Sequence, residues 1–175
     1  MLDGFLERVR ETGDPLSFNP ALVDLADAVD GAVALSRPMA ENRDITIEAD
    51  CKPLVVHGDQ RLLIEALDNL IGNAVKHSPP GSRIACELER CGGEVVIRVL
   101  DEGQGISEFD IKRAFNPFTS LTAKASGASF GLGLWIVRLI AERHGGRVGA
   151  RSRGSGNGAC FEIRLPAILA CSPLR

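Results

Sequence analysis

The chain lacks the features that mark several large classes of protein. Its 175 residues hold no apolar run that approaches the length of a membrane span, and Leu2–Val9 lacks the cationic-then-apolar pattern of a signal peptide. Neither sign of charge is in large excess, because 20 basic and 23 acidic residues leave a net charge of −3. The composition therefore gives no electrostatic case for nucleic acid as a partner, and no contact with a membrane is expected.

A metal-binding or disulfide framework is missing too. The five cysteines are odd in number, form no CxxC pair, and have no zinc-ligand spacing with the three histidines. Four of the cysteines fall in or beside predicted strands, which favours buried free thiols. A cytosolic compartment is the default for such a chain.

Hydrophobic periodicity predicts interleaved helices and strands around one core. Helical spacing appears at about Pro20–Ala40 and Arg61–Lys76, and a third helix opens at Gly131–Gly133 and runs to His144. Residues expected to point inward on the first helix are Leu22, Leu25, Ala26, Val29, Val33 and Ala34. Strands are predicted near Ile45–Ala49, Leu54–His57, Arg83–Arg90, Glu94–Leu100, Arg147–Ser152 and Ala159–Leu165. The hairpin turn at Cys91-Gly92-Gly93 excludes a purely parallel sheet, so we predict an α/β two-layer sandwich.

The second helix carries the first functional motif, in the segment DNLIGNAVKHS. Glu65, Asn69, Asn73 and Lys76 share one helical face, and Asp59 can cap the helix start. Asparagine is a mediocre helix former, but its amide oxygen suits a magnesium ion that already carries phosphate oxygens. Lys76 can supply a point charge for phosphate. The alternative is an amphipathic helix with a polar outer face.

The second motif, DEGQGIS, follows a short strand rich in β-branched residues. Asp101 at the strand end can accept a hydrogen bond from an exocyclic amine, which adenine carries at its 6-position and guanine does not. Gly103 and Gly105 allow a close backbone approach that a bulkier residue forbids. The alternative is an ordinary Asp–Gly turn.

The third motif, FGLGLWIV, opens a helix. Gly131, Leu132 and Gly133 stand where free backbone N–H groups and the helix dipole favour phosphate. The chain has neither GxGxxG after a first strand nor GxxxxGK[ST], so the two commonest phosphate-binding loops are excluded. Close helix packing is the alternative explanation of the two glycines.

Taken in this order, the three motifs resemble the catalytic ATP-binding domain of sensor histidine kinases, in the superfamily of DNA gyrase, MutL and ninety-kilodalton heat-shock chaperones. The similarity spans roughly Phe18 to Pro166 and includes an F box at Ala114–Phe118. It implies the Bergerat fold, in which helices cover one face of a mixed, mainly antiparallel sheet. Two positions depart from the family pattern: Asn116 replaces a frequent acid, and His77 replaces a frequent tyrosine.

The resemblance implies a role for each motif residue in binding ATP and Mg²⁺. Asn73 is expected to be the main magnesium ligand, with Asn69 assisting, and Lys76 and His77 are expected to meet the phosphates. Asp101 is expected to accept a hydrogen bond from the adenine amine, beside Gly103 and Gly105. Gly131, Leu132 and Gly133 are expected to lie along the phosphate tail. The segment Thr119–Phe130 is expected to form a mobile lid in which Lys124 either touches the γ-phosphate or is a solvated loop lysine. Phe118 is a cofactor-site candidate, although Phe115 and Phe118 fit lid hinges packed on the core better.

The resemblance also implies the domain organisation and the partners. Residues 1–16 look like a remnant of the second helix of a dimerization domain plus a linker, 17–170 like the catalytic domain, and 171–175 like a tail. No histidine has the acidic residue that usually follows a phosphoacceptor, so the chain is expected to be a mainly monomeric fragment. It would pass the γ-phosphate to a histidine on the separate dimerization domain and serve a response regulator indirectly. The alternatives are a related serine kinase or ATPase, and a non-catalytic binding module.

Overall fold

The computed structural model describes residues 17–119, 131–152, 154 and 156–168. The elements, numbered in chain order, are β1 Ala21–Asp24, α1 Leu25–Glu41, β2 Thr46–Ala49, β3 Val55–Gly58, α2 Gln60–His77, β4 Arg83–Cys91, β5 Glu94–Leu100, α3 Glu108–Ile111, α4 Gly133–Arg143, β6 Arg147–Ser152 and β7 Ala159–Pro166. The expectations for residues 1–16 and 171–175 concern segments outside the described residues.

The sheet is mixed and mainly antiparallel, which confirms the predicted fold class. Its five strands run in the order β2-β4-β5-β7-β6, and only β2 and β4 pair in parallel. A separate two-stranded ribbon joins β1 to β3. In the described part of the chain no helix combines the length and apolar character needed to cross a membrane.

The two faces of the five-stranded sheet differ in chemistry because side chains alternate along each strand. One face carries the apolar cross-strand pairs Val95–Leu165, Ile97–Ile163 and Val99–Phe161, all buried in the main core. The opposite face carries ion pairs, in which Glu162 lies within 4 Å of three arginines, Arg98, Arg151 and Arg164. Helix α1 packs on α2, and α2 packs on α4, over the apolar face.

Helix α2 forms as its periodicity predicts. Asp59 accepts a hydrogen bond from the Leu62 amide at 3.1 Å and so caps the first turn. The predicted apolar stripe is buried throughout: Leu62, Leu63, Ala66, Leu67, Leu70, Ile71 and Ala74. This helix therefore forms the centre of the helical layer.

The predicted start of the first helix is wrong by five residues. Residues 21–24 form strand β1, paired with β3, and the helix begins at Leu25 after Asp24 caps the Ala26 amide at 2.9 Å. Leu22, predicted to point inward, is 72% exposed, and Ala34 is also exposed. The partner strand β3 lies more than thirty residues further along the chain. Because residues 21–24 pair with it, they are extended, although their apolar spacing fits a helix. The short helix α3 was not predicted.

Candidate functional site

The last two turns of α2 hold most of the predicted phosphate and metal residues. Asn73, Lys76 and His77 are half-buried, so their side chains reach the protein surface from a fixed helical base. No described residue hydrogen-bonds to the side-chain amide of Asn73. A half-buried amide with unused donors and acceptors is available to a ligand, as the magnesium prediction requires.

Asn69 is placed differently from its neighbours on that face. Its side chain is only 3% exposed, and its Nδ2 donates to the Glu65 carbonyl at 2.8 Å. Its Oδ1 has no partner among the described residues and lies 3.0 Å from where a β-carbon on Gly133 would stand. Asn69 therefore lies at the contact between α2 and the start of α4. Its unpaired oxygen is the kind of buried polar atom that needs an explanation, such as an ordered water or a bound ligand.

Asp101 leaves β5 as predicted and is locked in one orientation. Its Oδ1 accepts from the amides of Gly103 at 2.8 Å and Ala159 at 3.1 Å, while no described residue donates to Oδ2. Burial raises the pKa of this carboxyl, and the two amide hydrogen bonds partly offset that effect. One carboxylate oxygen is thus held by the backbone, and the other is left to accept an amine.

The glycines of the second motif are required by close backbone contacts. A β-carbon on Gly103 would lie 2.7 Å from the His77 carbonyl oxygen, and one on Gly105 would lie 2.2 Å from the Gly154 carbonyl oxygen. Gly105 also has a φ of +73°, which residues with a side chain rarely adopt. The first contact brings the turn after β5 directly against the end of α2, and the second packs it on the loop between β6 and β7.

The glycines of the third motif open helix α4 without a side-chain cap. Gly131 has a φ of +64°, and Leu132 occupies the N-cap position but makes no side-chain hydrogen bond to the helix. Within the described part of the chain, no side chain caps the amides of Gly133 and Leu134, and such amides at a helix start can bind an anion. Because Gly133 faces Asn69 and Gly103 faces the His77 carbonyl, α2 contacts both glycine motifs, and the three motifs lie next to one another.

The charge state of His77 follows from its surroundings. Burial lowers its pKa most, the positive charge of Lys76 lowers it further, and Asp101 opposes both. With its pKa below the ordinary 6.5, the ring is neutral at pH 7, so it can donate one hydrogen bond and accept another.

Only the residues that flank the predicted lid can be compared with the prediction. Lys124 lies outside the described residues, as does nearly all of Thr119–Phe130. Phe115 packs edge-on against Phe161 with ring centroids 6.2 Å apart, as a hinge on the core should. Phe118 does not pack on the core, because the residue is 77% exposed; its φ is +59°.

Two residues that sequence reasoning missed hold the two ends of α2. Arg43 donates to the carbonyls of Lys76 at 2.8 Å and Ser78 at 3.0 Å. His144 accepts from the Asp59 amide at 2.9 Å through Nε2, while its Nδ1 lies 2.7 Å from the Ile140 carbonyl. The contacts of Arg43 and His144 with the two ends of α2 span 33 to 85 positions in sequence, and no local pattern marks them.

The residues present fit a nucleotide with its metal better than a free metal ion. Among the described residues, no three histidines, cysteines or carboxylates cluster as a metal site would require. An amide oxygen such as that of Asn73 is a neutral ligand, and Mg²⁺ is usually held by one or two protein groups plus substrate phosphates. The unpaired Oδ1 of Asn69, beside the start of α4, marks the same region.

Comparisons with known proteins identify the family to which the chain is similar. Residues 58–168 match the family model described as "Histidine kinase-, DNA gyrase B-, and HSP90-like ATPase". The chain is 36% identical over 173 residues to the sensor-like histidine kinase SenX3 of Mycobacterium tuberculosis strain H37Rv, covering 97% of this chain and 42% of SenX3. The chain thus spans less than half the length of that relative.

Solved structures give the same result. The mycobacterial sensor histidine kinase MprB superposes with a TM-score of 0.76 at 28% identity, covering 84% of this chain and 98% of that one. Full-length ShkA in complex with AMPPNP also gives a TM-score of 0.76 at 28% identity, covering 99% of this chain and 36% of ShkA. The chain belongs to the histidine kinase-, DNA gyrase B- and HSP90-like ATPase family, and its domain is the catalytic ATPase domain of the histidine kinase type.

Proposed function

We propose that this domain binds Mg-ATP between the end of α2, the Asp101 turn and the start of α4, and that it donates the γ-phosphate to a histidine on a separate dimerization domain. The observation that carries the proposal is the contact of α2 with both glycine motifs: the His77 carbonyl lies against Gly103, and the Asn69 amide lies against Gly133. The AMPPNP complex of ShkA supports it, since AMPPNP is an ATP analogue.

The adenine end of the pocket is formed by Asp101. Its Oδ1 is held by two amides, so Oδ2 is oriented to accept from the adenine amine. The raised pKa of this carboxyl remains compatible with an ionised acceptor at neutral pH, because unperturbed aspartate titrates at about 3.9. Guanine carries a carbonyl at that position and would face the carboxylate with a second acceptor.

The phosphate end is formed by α2 and the start of α4. Lys76 and the neutral His77 would contact the phosphates from one side, and the amides of Gly133 and Leu134 would contact them from the other. Asn73 is placed to hold a magnesium ion together with the phosphate oxygens. When bound, that ion neutralises charge on the phosphates.

Phosphoryl transfer depends mainly on positioning and charge stabilisation, and these residues supply both. In the transfer, a ring nitrogen of the partner's histidine forms a bond to the γ-phosphorus, and the bond from that phosphorus to the bridging oxygen breaks. ADP leaves with the electron pair. The dimerization domain is expected to supply this acceptor, with a response regulator downstream.

Calorimetric titration with Mg-ATP tests the binding step. We expect a micromolar to submillimolar Kd for the wild-type chain and a loss of about 30-fold or more in Asp101→Asn, because one charge-assisted hydrogen bond contributes about 2 kcal/mol. If wild type and Asp101→Asn bind Mg-ATP with equal affinity, adenine does not bind at Asp101.

Transfer is tested separately by adding a histidine-bearing dimerization domain and γ-labelled ATP. Label is expected in the added domain and not in the chain alone. Label on a histidine of this chain would contradict the proposed division of labour.

A further inference from the structure

The turn between α1 and β2 lies along the segment that follows the phosphate-binding end of α2. The Gly81 amide donates to the Asp44 carbonyl at 3.0 Å, and the Thr46 amide donates to the Ser82 carbonyl at 3.1 Å. Asp44 has a positive φ of 55°, which turns the chain sharply at this contact. The backbone of the turn is therefore fixed against residues 81 and 82, and Arg43 stands beside α2.

Arg43 uses its guanidinium fork on two carbonyls. Its Nη1 donates to the Lys76 carbonyl at 2.8 Å, and its Nη2 donates to the Ser78 carbonyl at 3.0 Å. Both carbonyls belong to the C-terminal end of α2, where the negative end of the helix dipole favours a cation. The two bonds bracket His77 and fix the backbone on either side of it.

The carbonyl of His77 is the surface against which the Asp101 turn packs. A β-carbon on Gly103 would come within 2.7 Å of that oxygen, so the two backbones have almost no free space between them. A change in the path of residues 76–78 must therefore move the turn at Gly103 as well as the side chains of Lys76 and His77.

We propose that Arg43 is a positioning residue for nucleotide binding: by holding the carbonyls of Lys76 and Ser78, it sets the phosphate-facing side chains and the Asp101 turn at once. This inference rests on the proposed function of the same site. Arg43 acts through α2, and its side chain is assigned no contact with ATP.

A second consequence concerns His77. The positive charge of Arg43 is one of the influences that lower the pKa of His77, after burial and Lys76 and against Asp101. The ring of His77 therefore reports whether Arg43 stays in place, with or without nucleotide.

The test compares Arg43→Gln and Arg43→Lys with wild type, using calorimetric titration with Mg-ATP well below the unfolding temperature. Arg43→Gln removes the charge and the fork, and we expect its affinity for Mg-ATP to fall about tenfold. Lysine keeps the charge but cannot bridge two carbonyls as the planar fork does, so Arg43→Lys should recover only part of the affinity. In NMR titrations without metal or nucleotide, the pKa of His77 should rise in Arg43→Gln and stay near the wild-type value in Arg43→Lys.

Arg61→Gln is the matched control. Arg61 also donates to a backbone carbonyl, that of Ser17 at 3.1 Å, but it stands in the first turn of the same helix. The axial separation from Lys76 is about 22 Å, from a rise of about 1.5 Å per residue. This variant should bind Mg-ATP with wild-type affinity and leave the pKa of His77 unchanged.

The outcomes separate the two proposals. If wild type binds Mg-ATP and folded Arg43→Gln binds it equally well, Arg43 is only a helix cap. The same conclusion follows if Arg61→Gln loses as much affinity as Arg43→Gln. If Arg43→Gln does not fold, full affinity in Arg43→Lys overturns the requirement for the fork. If wild type binds no Mg-ATP, the proposed function fails. Separately, an unchanged pKa of His77 in folded Arg43→Gln would reject the placement of Arg43 beside His77.

Discussion

The two ends of helix α2 differ in the hydrogen bonding of their polar side chains. At the first end, Asp59 and His144 satisfy each other and the backbone: the Asp59 carboxylate accepts from Leu62 and Asn19, and its amide donates to His144. At the last end, the side chains of Asn73 and His77 have no hydrogen-bond partner among the described residues. The side chains at the first end are thus used within the fold, whereas the half-buried side chains of Asn73 and His77 are available to a ligand, as the proposed function requires.

The two histidines make the comparison concrete. Burial lowers the pKa of both rings, so both are neutral at pH 7. His144 is 7% exposed and packs edge-on against Phe18, with ring centroids 4.9 Å apart. Both of its ring nitrogens hydrogen-bond to backbone groups. His77 is half-buried and faces Lys76 and Asp101. The same side chain is thus structural at one end and available for binding at the other.

The largest expected effect comes from His144→Ala. The substitution leaves the buried amide of Asp59 unpaired and opens a cavity beside Gly58, so we expect a loss of about 3 kcal/mol in the free energy of unfolding. Urea denaturation measures it, and His77→Ala is the matched control with an expected loss below about 1 kcal/mol. Equal losses of unfolding free energy in the two variants would contradict the view that only His144 is structural.

Next in size is Asn73→Ala. We expect Mg-ATP affinity to fall about tenfold, near 1.4 kcal/mol, while the free energy of unfolding changes little because no described residue hydrogen-bonds to the amide. Titrations with and without Mg²⁺ check the assignment. The loss should be confined to the magnesium-containing titration, and an equal loss without the metal would argue for a direct phosphate contact instead.

A smaller effect is expected from pH. Because the folded-state pKa of each histidine lies below its unfolded value of about 6.5, the unfolded chain binds the proton first as pH falls. Stability should therefore be full above that value and decline below it, by at most about 1.4 kcal/mol per pH unit for each ring, until the folded pKa is passed. The difference between wild type and His144→Gln isolates the contribution of His144, and parallel pH profiles would contradict it.

The smallest expected effect is that of Phe118→Ser. Since the Phe118 side chain is 77% exposed, its removal should change the free energy of unfolding by less than about 0.5 kcal/mol. Phe115→Ser, which removes the edge-on contact with Phe161, is the comparison and should cost more. Thermal unfolding of the two variants checks the order.

The sequence predicts those parts of the molecule that depend on neighbours in the chain. The stripe of α2, the hairpin at Gly92–Gly93 and the limits of β5 are local patterns of burial and turn chemistry, and all three are confirmed. The three motifs could be identified for the same reason, because each lies within about ten residues.

Contacts between distant segments could not be predicted. Strand β1 exists because β3 pairs with it, and Ala21–Asp24 alone gives no sign of that partner. The burial of Asn69 depends on the approach of α4, and the helical face that it shares with Asn73 and Lys76 gives no sign of that approach. Arg43 lies in an ordinary turn, and its two hydrogen bonds to α2 follow only from the packing of that turn against residues 76–82.

The most direct test of the contrast between the two ends is an amide NMR titration of the isotope-labelled chain with Mg-ATP. We predict large shifts at Lys76, His77, Asp101, Gly103 and Gly133, and small ones at Gly58, Asp59 and His144. Shifts centred on Asp59 and His144, with little change at Asp101 and Gly133, would contradict the account and place the ligand at the other end of α2.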